Sequence, residues 1–182
     1  MRNAVRLSFA CLAIALAACD DNILPPAAFE NQVDTVTLAS LVGTPVGAPS
    51  AFSIPDGQPV RTDISAAFDF AYLATDGRRL VLPIDATGLR SGGTSAGVQK
   101  STQAFEAIGN PPTQGYLTTD SIGVAVGDVL IGRSRVACFL GVPQYARLRV
   151  LSFDDAARTM TFEVVANINC GYRSLALGLP EE

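Results

Sequence analysis

Beyond residue 32, apolar side chains recur in short runs punctuated by Gly, Pro, Asp and Ser. The runs cover residues 33–41, 60–64, 67–73, 80–84, 122–126, 129–137, 145–153 and 159–168. They are rich in β-branched and aromatic residues and have the length of strands. Many short strands with turn signals between them predict an all-β fold, an antiparallel β-sandwich or barrel-like domain. At most one short helix is expected, over 101–108, where Gly109 and the Asn110-Pro111-Pro112 breaker stop it.

The last third carries the clearest alternation. Val136, Cys138, Ala146, Leu148, Val150, Met160, Phe162, Val164, Ala166 and Ile168 all have even numbers, and side chains alternate faces along a strand. Antiparallel partners face the same side only if their numbers sum to an even value. A turn over 154–157 therefore pairs Val150 with Met160 or Phe162, and Leu148 with Phe162 or Val164. Upstream, Phe68, Phe70 and Tyr72 repeat at period two, with Leu80, Leu82 and Ile84 on the next run, and read as sandwich core.

The N-terminus follows a different pattern. Arg2 and Arg6 precede an apolar stretch over 7–18 broken only by Ser8, the layout of a cleaved export signal too short to span a bilayer, which takes about 20 apolar residues. Leu16, Ala17, Ala18 and Cys19 resemble the bacterial lipobox. The resemblance implies cleavage before Cys19, acylation of its sulfur, and a mature chain held on the periplasmic side of an inner or outer membrane. The chain then divides into a signal peptide at 1–18, a lipidated, polar and proline-bearing tether at 19–32, and one β-rich domain at 33–182.

Cleavage there leaves 164 residues, enough for one domain with a sizeable core. It removes two of the 13 basic side chains and none of the 17 acidic ones, so the mature chain carries 11 against 17, a net charge of −6. That balance argues against nucleic acid, whose binding draws on a basic surface. Of the four cysteines, Cys11 leaves with the signal and Cys19 carries lipid, which leaves Cys138 and Cys170 as a disulfide in an oxidising compartment. Both sit on the even face at the same end of the late meander. Strands flanking a third are about 9.6 Å apart, so the bridge asks both strand ends to lean over the middle one.

The chain has no histidine, which excludes Ser-His-Asp and Cys-His nucleophiles, His-Glu-x-x-His zinc sites and histidine proton shuttles. No metal or cofactor site is expected. Gly93-Thr94-Ser95-Ala96-Gly97 fits G-x-S-x-G and resembles the nucleophile segment of patatin-type lipases, which use a Ser-Asp dyad. A nucleophile elbow needs a strand running into the turn and a helix after it, whereas loop-like sequence precedes Gly93, and no Asp-Gly-Gly or Asp-Gly-Ala follows. A non-catalytic protein is the expectation.

Four arginines form the other candidate site. Arg133 and Arg135 lie on one run and Arg147 and Arg149 on the next, all on the odd, outward face. Pairing around Gly141 sets Arg133 against Arg149 and Arg135 against Arg147, a like-charge cluster that calls for Glu163 or an external anion beside it. Planar guanidinium forks suit phosphate or carboxylate, so an anionic envelope component is one expected partner and another envelope protein is the second. The lipobox, the run Phe68-Asp69-Phe70-Ala71-Tyr72 and the late hairpin from Tyr145-Ala146-Arg147-Leu148 to Thr161-Phe162-Glu163 together resemble the HmuY-type haem-binding lipoproteins. The resemblance implies an all-β fold. That family holds haem iron through a pair of histidines, so its ligand does not carry over. The expected role is a lipid-anchored envelope binding or interaction module, with a structural or assembly role, an apolar-ligand binder and a Ser-Asp hydrolase as alternatives.

Overall fold

Alternating burial along the late strands fixes where the core lies, and the rest of the chain builds a second layer over it. The computed structural model describes residues 24–90 and 92–181, so Cys11 and Cys19 lie outside the described residues. One sheet runs in the order β1 (Asp34–Ala39), β10 (Thr159–Ala166), β9 (Tyr145–Asp154), β8 (Val129–Arg133), β6 (Gly97–Ser101). The other runs β3 (Gln58–Val60), β2 (Ala51–Ser53), β4 (Phe70–Thr75), β5 (Arg78–Pro83), β7 (Ile122–Gly123). All pairings are antiparallel, and the two sheets form a β-sandwich.

The inner faces meet in one apolar layer that includes Leu38, Phe52, Phe70, Tyr72, Val81, Leu130, Leu148, Val150, Met160, Phe162 and Val164. Phe52 stacks on Phe70 at 5.5 Å between ring centroids, and Phe162 reaches both from the opposite sheet at 5.9 and 6.1 Å. These rings are almost wholly buried, so the aromatic stripe interlocks the layers.

The late hairpin takes one of its two permitted registers, Val150 opposite Phe162 and Leu148 opposite Val164. Nearer the turn the parity changes. The four-residue turn, with Arg158 at φ 54°, sets Asp154 against Thr159, and a bulge between Thr161 and Phe162 absorbs the extra residue. Phe153 therefore packs on the core where the even-number pattern points to Ser152.

The earlier hairpin corrects a second expectation. Asp76 and Gly77 both have positive φ, 50° and 71°, as a two-residue type I′ turn requires. That turn opposes Thr75 to Arg78 and hence Tyr72 to Val81. Val81 therefore enters the core in place of Leu80, while Phe68 and Ile84 join Ala51, Ala71 and Ala96 in a cluster on the sheet's other face. The helix expected over 101–108 is replaced by the end of β6 and a single 3-10 turn at Phe105–Ala107. The Ser101 hydroxyl accepts from the Gln103 amide and turns the chain there, too close to the 109–112 breaker for a helix to propagate.

The sheet edges are irregular. Pro59 removes a donor from edge strand β3, β7 is two residues long, and Val98 in edge strand β6 is bridged by Leu117.

The two ends of the sandwich differ. At one lie the β4–β5 and β9–β10 turns. At the other, the 134–144 loop and the segment after β10 are joined by the Cys138–Cys170 disulfide, with 5.4 Å between Cα atoms. Both cysteines lie in loops beyond β8 and β10, so the loops close the gap and the strand ends need not lean across β9.

The expected tether is shorter than the sequence suggests. The Ala28 and Phe29 amides donate to Asn169 Oδ1 at 2.9 and 3.0 Å, Asn31 donates to the Ser174 and Ala176 carbonyls, and the Tyr172 hydroxyl donates to the Pro25 carbonyl. From Pro25 onward the segment belongs to the folded body.

Candidate functional site

The structure disperses the four arginines. β8 ends at Arg133, and the chain then enters a loop closed by hydrogen bonds between Ser134 and Gln144, which moves the β8–β9 register away from a turn at Gly141. Arg133 stands opposite Tyr145, Ile131 opposite Arg147 and Val129 opposite Arg149, so neither expected arginine pair forms.

The face expected to point outward is also partly covered. The chain over 105–117 and the C-terminal segment cross it, burying Ile131, Tyr145 and Arg147 beneath Ile108 and Leu175. Arg147 donates to the Ile108 and Glu106 carbonyls at 2.8 and 3.3 Å and lies 4.8 Å from the Phe105 ring centre. Burial lowers its pKa against the pull of Glu106 and Glu163.

Arg149 pairs with Glu163, directly across on β10 as the sequence allows, and with Glu106 at 2.9 Å. Arg133 donates to the carbonyls of Ser95 and Thr113 and lies over Tyr116, whose phenol burial pushes up to about 12.

Arg135 leaves the sheet and turns inward. Its amide donates to Asp69 Oδ1 at 2.7 Å and its guanidinium reaches Asp69 Oδ2 at 3.1 Å and Ser53 Oγ at 3.3 Å. The Ile54 amide donates to the same carboxylate at 2.7 Å. Burial raises the Asp69 pKa from the ordinary aspartate range, while Arg135 and the two amides pull it back. Because Ile54 follows β2 and Arg135 follows β8, this almost fully buried carboxylate joins the two sheets. All four guanidinium groups thus have partners within the chain.

In the 93–97 segment, a loop leads into Ser95 and strand β6 follows it, the reverse of the strand–turn–helix order of a nucleophile elbow. Ser95 is exposed at φ 57°. The nearby carboxylate, Asp85, accepts from the amide and hydroxyl of Thr94 at 3.0 and 3.1 Å. Among the described residues, no hydrogen bond joins the Ser95 hydroxyl to a carboxylate, and no group of three metal-ligating side chains converges.

The stapled end offers the most distinctive unpartnered surface. Phe139, next to the disulfide, is 77% exposed, and Val136, Val142, Leu177 and Leu179 are exposed in the surrounding loops. Leu24, Tyr172, Leu179 and Pro180 line an open groove of about 460 Å³. Gly171, at φ 91°, lies where a Cβ would collide with Leu24 and Leu140, so the entering chain, the disulfide loop and the C-terminal segment converge at one point. Val136 belongs to the even-numbered pattern expected to face the core, but β8 ends at Arg133 and leaves it exposed in the loop, whereas Phe139, Val142, Leu177 and Leu179 lie in loops where no strand period marks them. The usable signal was the number of bulky apolar side chains within a few residues of Cys138.

No protein-family model matches the chain, and no curated protein or solved structure is significantly similar to it. Among the described residues no helix is long and apolar enough to cross a membrane.

Proposed function

We propose that the chain is a lipid-anchored, non-catalytic module of the bacterial cell envelope, held by acyl chains on Cys19 and working as a binding or interaction domain. The carrying observation is the run Leu16-Ala17-Ala18-Cys19 directly after an apolar stretch that opens with basic residues. The Cys138–Cys170 bridge supports it, since such bonds persist in oxidising compartments. Its partner is an apolar or envelope-protein surface rather than an anion at the arginines, whose guanidinium groups are engaged internally.

A structural or assembly role is the second reading, favoured by an aromatic core packed with its own rings instead of lining a ligand cavity. Mass spectrometry of the protein from its native envelope tests the anchor. A diacylglycerol-modified peptide beginning at Cys19 is the expected result, and an intact, lipid-free N-terminal peptide beginning at Met1 would refute the proposal.

A further inference from the structure

We infer that the stapled end of the sandwich seats on the lipid bilayer, with Phe139 entering the boundary between headgroups and acyl chains; this rests on the proposed acylation of Cys19. Reach is the first argument. Leu24 is five residues from Cys19, a span of at most about 18 Å when fully extended. The ten residues of β9 alone run about 33 Å along the sandwich. The end that carries Leu24 therefore stays within that span of the bilayer, while the hairpin end is free to stand farther from it.

The second argument is what that end presents. Leu24 lies against Leu140 and Gly171 and shares a groove with Leu179, so the chain enters the body through the patch from which Phe139 projects. Phe139 sits between a cysteine fixed by the bridge and Leu140, which meets Leu24 over Gly171, so the backbone that carries the exposed ring is tied on both sides. Apolar side chains set this shallowly gain from burial about 5–10 Å into the interface.

Charge identifies the kind of surface. Glu30, Asp34 and Asp56 line a neighbouring groove, and the mature chain is net acidic. Anionic headgroups would be repelled, so the seat is apolar and takes zwitterionic lipid without help from basic residues.

The chain has no tryptophan, so a single one introduced by substitution reports its own surroundings. The full lipid-modified chain is reconstituted on phosphatidylcholine vesicles containing lipids brominated near the headgroup, as Phe139→Trp and, separately, as Val46→Trp. Val46 is equally exposed, at 77%, in the loop after β1 at the hairpin end. Phe139→Trp should show blue-shifted emission quenched roughly twofold or more by the brominated lipid, with Val46→Trp unaffected. A Phe139→Trp protein that floats with the vesicles but stays unquenched overturns the seat and leaves the anchor standing. Failure to float refutes the anchor and the seat together. A blue shift without bromine quenching means that protein, such as a second copy, covers the ring, and this also overturns the inference.

Discussion

The two ends of this sandwich are closed by opposite means. The hairpin end is made locally: Asp76-Gly77 turns β4 into β5, and four residues turn β9 into β10. The stapled end is made by ties between distant parts of the chain. Arg135 reaches Asp69 across 66 positions, Ala28 and Phe29 reach Asn169 across 141 and 140, and the disulfide spans 32. Local turns cost little loop-closure entropy and specify register through backbone conformation, whereas distant ties form only once both sheets are in place. An end built in that way offers loops free to carry exposed apolar side chains, because their shape is held by the ties and does not depend on burying every side chain.

Removing a tie should therefore hurt more than damaging a turn. The largest loss is expected for Asp69→Ala, which strands the buried Arg135 guanidinium and the Ile54 amide: about 3–5 kcal/mol by denaturant unfolding. A loss under about 1 kcal/mol would show that the carboxylate does not join the sheets. The same group should give an unusual pH response. With its folded pKa raised by burial, the pH-dependent part of its contribution is full below the ordinary aspartate range and is lost as pH rises through the raised value, while the hydrogen bonds from the Arg135 and Ile54 amides persist. Carboxyl NMR titration of Asp69 checks the sign, and a midpoint below the ordinary range would reverse it.

Next comes the bridge. Replacing Cys138 and Cys170 together with serine should lower stability by about 3–4 kcal/mol, the chain-entropy value for a loop of this length. Urea unfolding with and without reductant gives the comparison, and equal midpoints would remove the bridge from the account.

Gly77→Val disturbs the hairpin end instead, forcing a β-branched residue to φ 71°, and should cost roughly 1–2 kcal/mol. If it costs more than losing the disulfide, the contrast between the ends is inverted. The smallest effect belongs to Arg79→Ala, which breaks an exposed pair with Asp155. Its thermal midpoint should stay within error of the parent's in high salt.

The sequence was most legible where one face of a long strand meets the core. The runs that became β9 and β10 and their shared buried face could be read from period two, which narrowed the partner of Val150 to Met160 or Phe162; the turn and the bulge select Phe162. Parity failed wherever the backbone departs from the strand: at the bulge that brings Phe153 inward, and after Arg133, where Arg135 leaves the sheet to meet Asp69. The Asp-Gly pair at 76–77 did contain the register that selects Val81, through turn chemistry rather than hydrophobicity. β2 is three residues long, and β6 is a polar edge strand containing Lys100, so neither has an apolar pattern of its own. The candidate site was the least legible part. Its residues lie in loops, and their proximity is set by Gly171, Asn169 and the disulfide, contacts with no local signature.

On the proposed lipid anchor, the ragged sheet margins acquire a purpose. Copies confined to a plane collide far more often than copies dispersed in a volume, and always in similar orientations, so an open strand margin would invite ribbon-like growth from one molecule to the next. Pro59, the two-residue β7 and the Leu117 bridge each deny such growth a template. β1, six residues long, is the margin that these devices leave open.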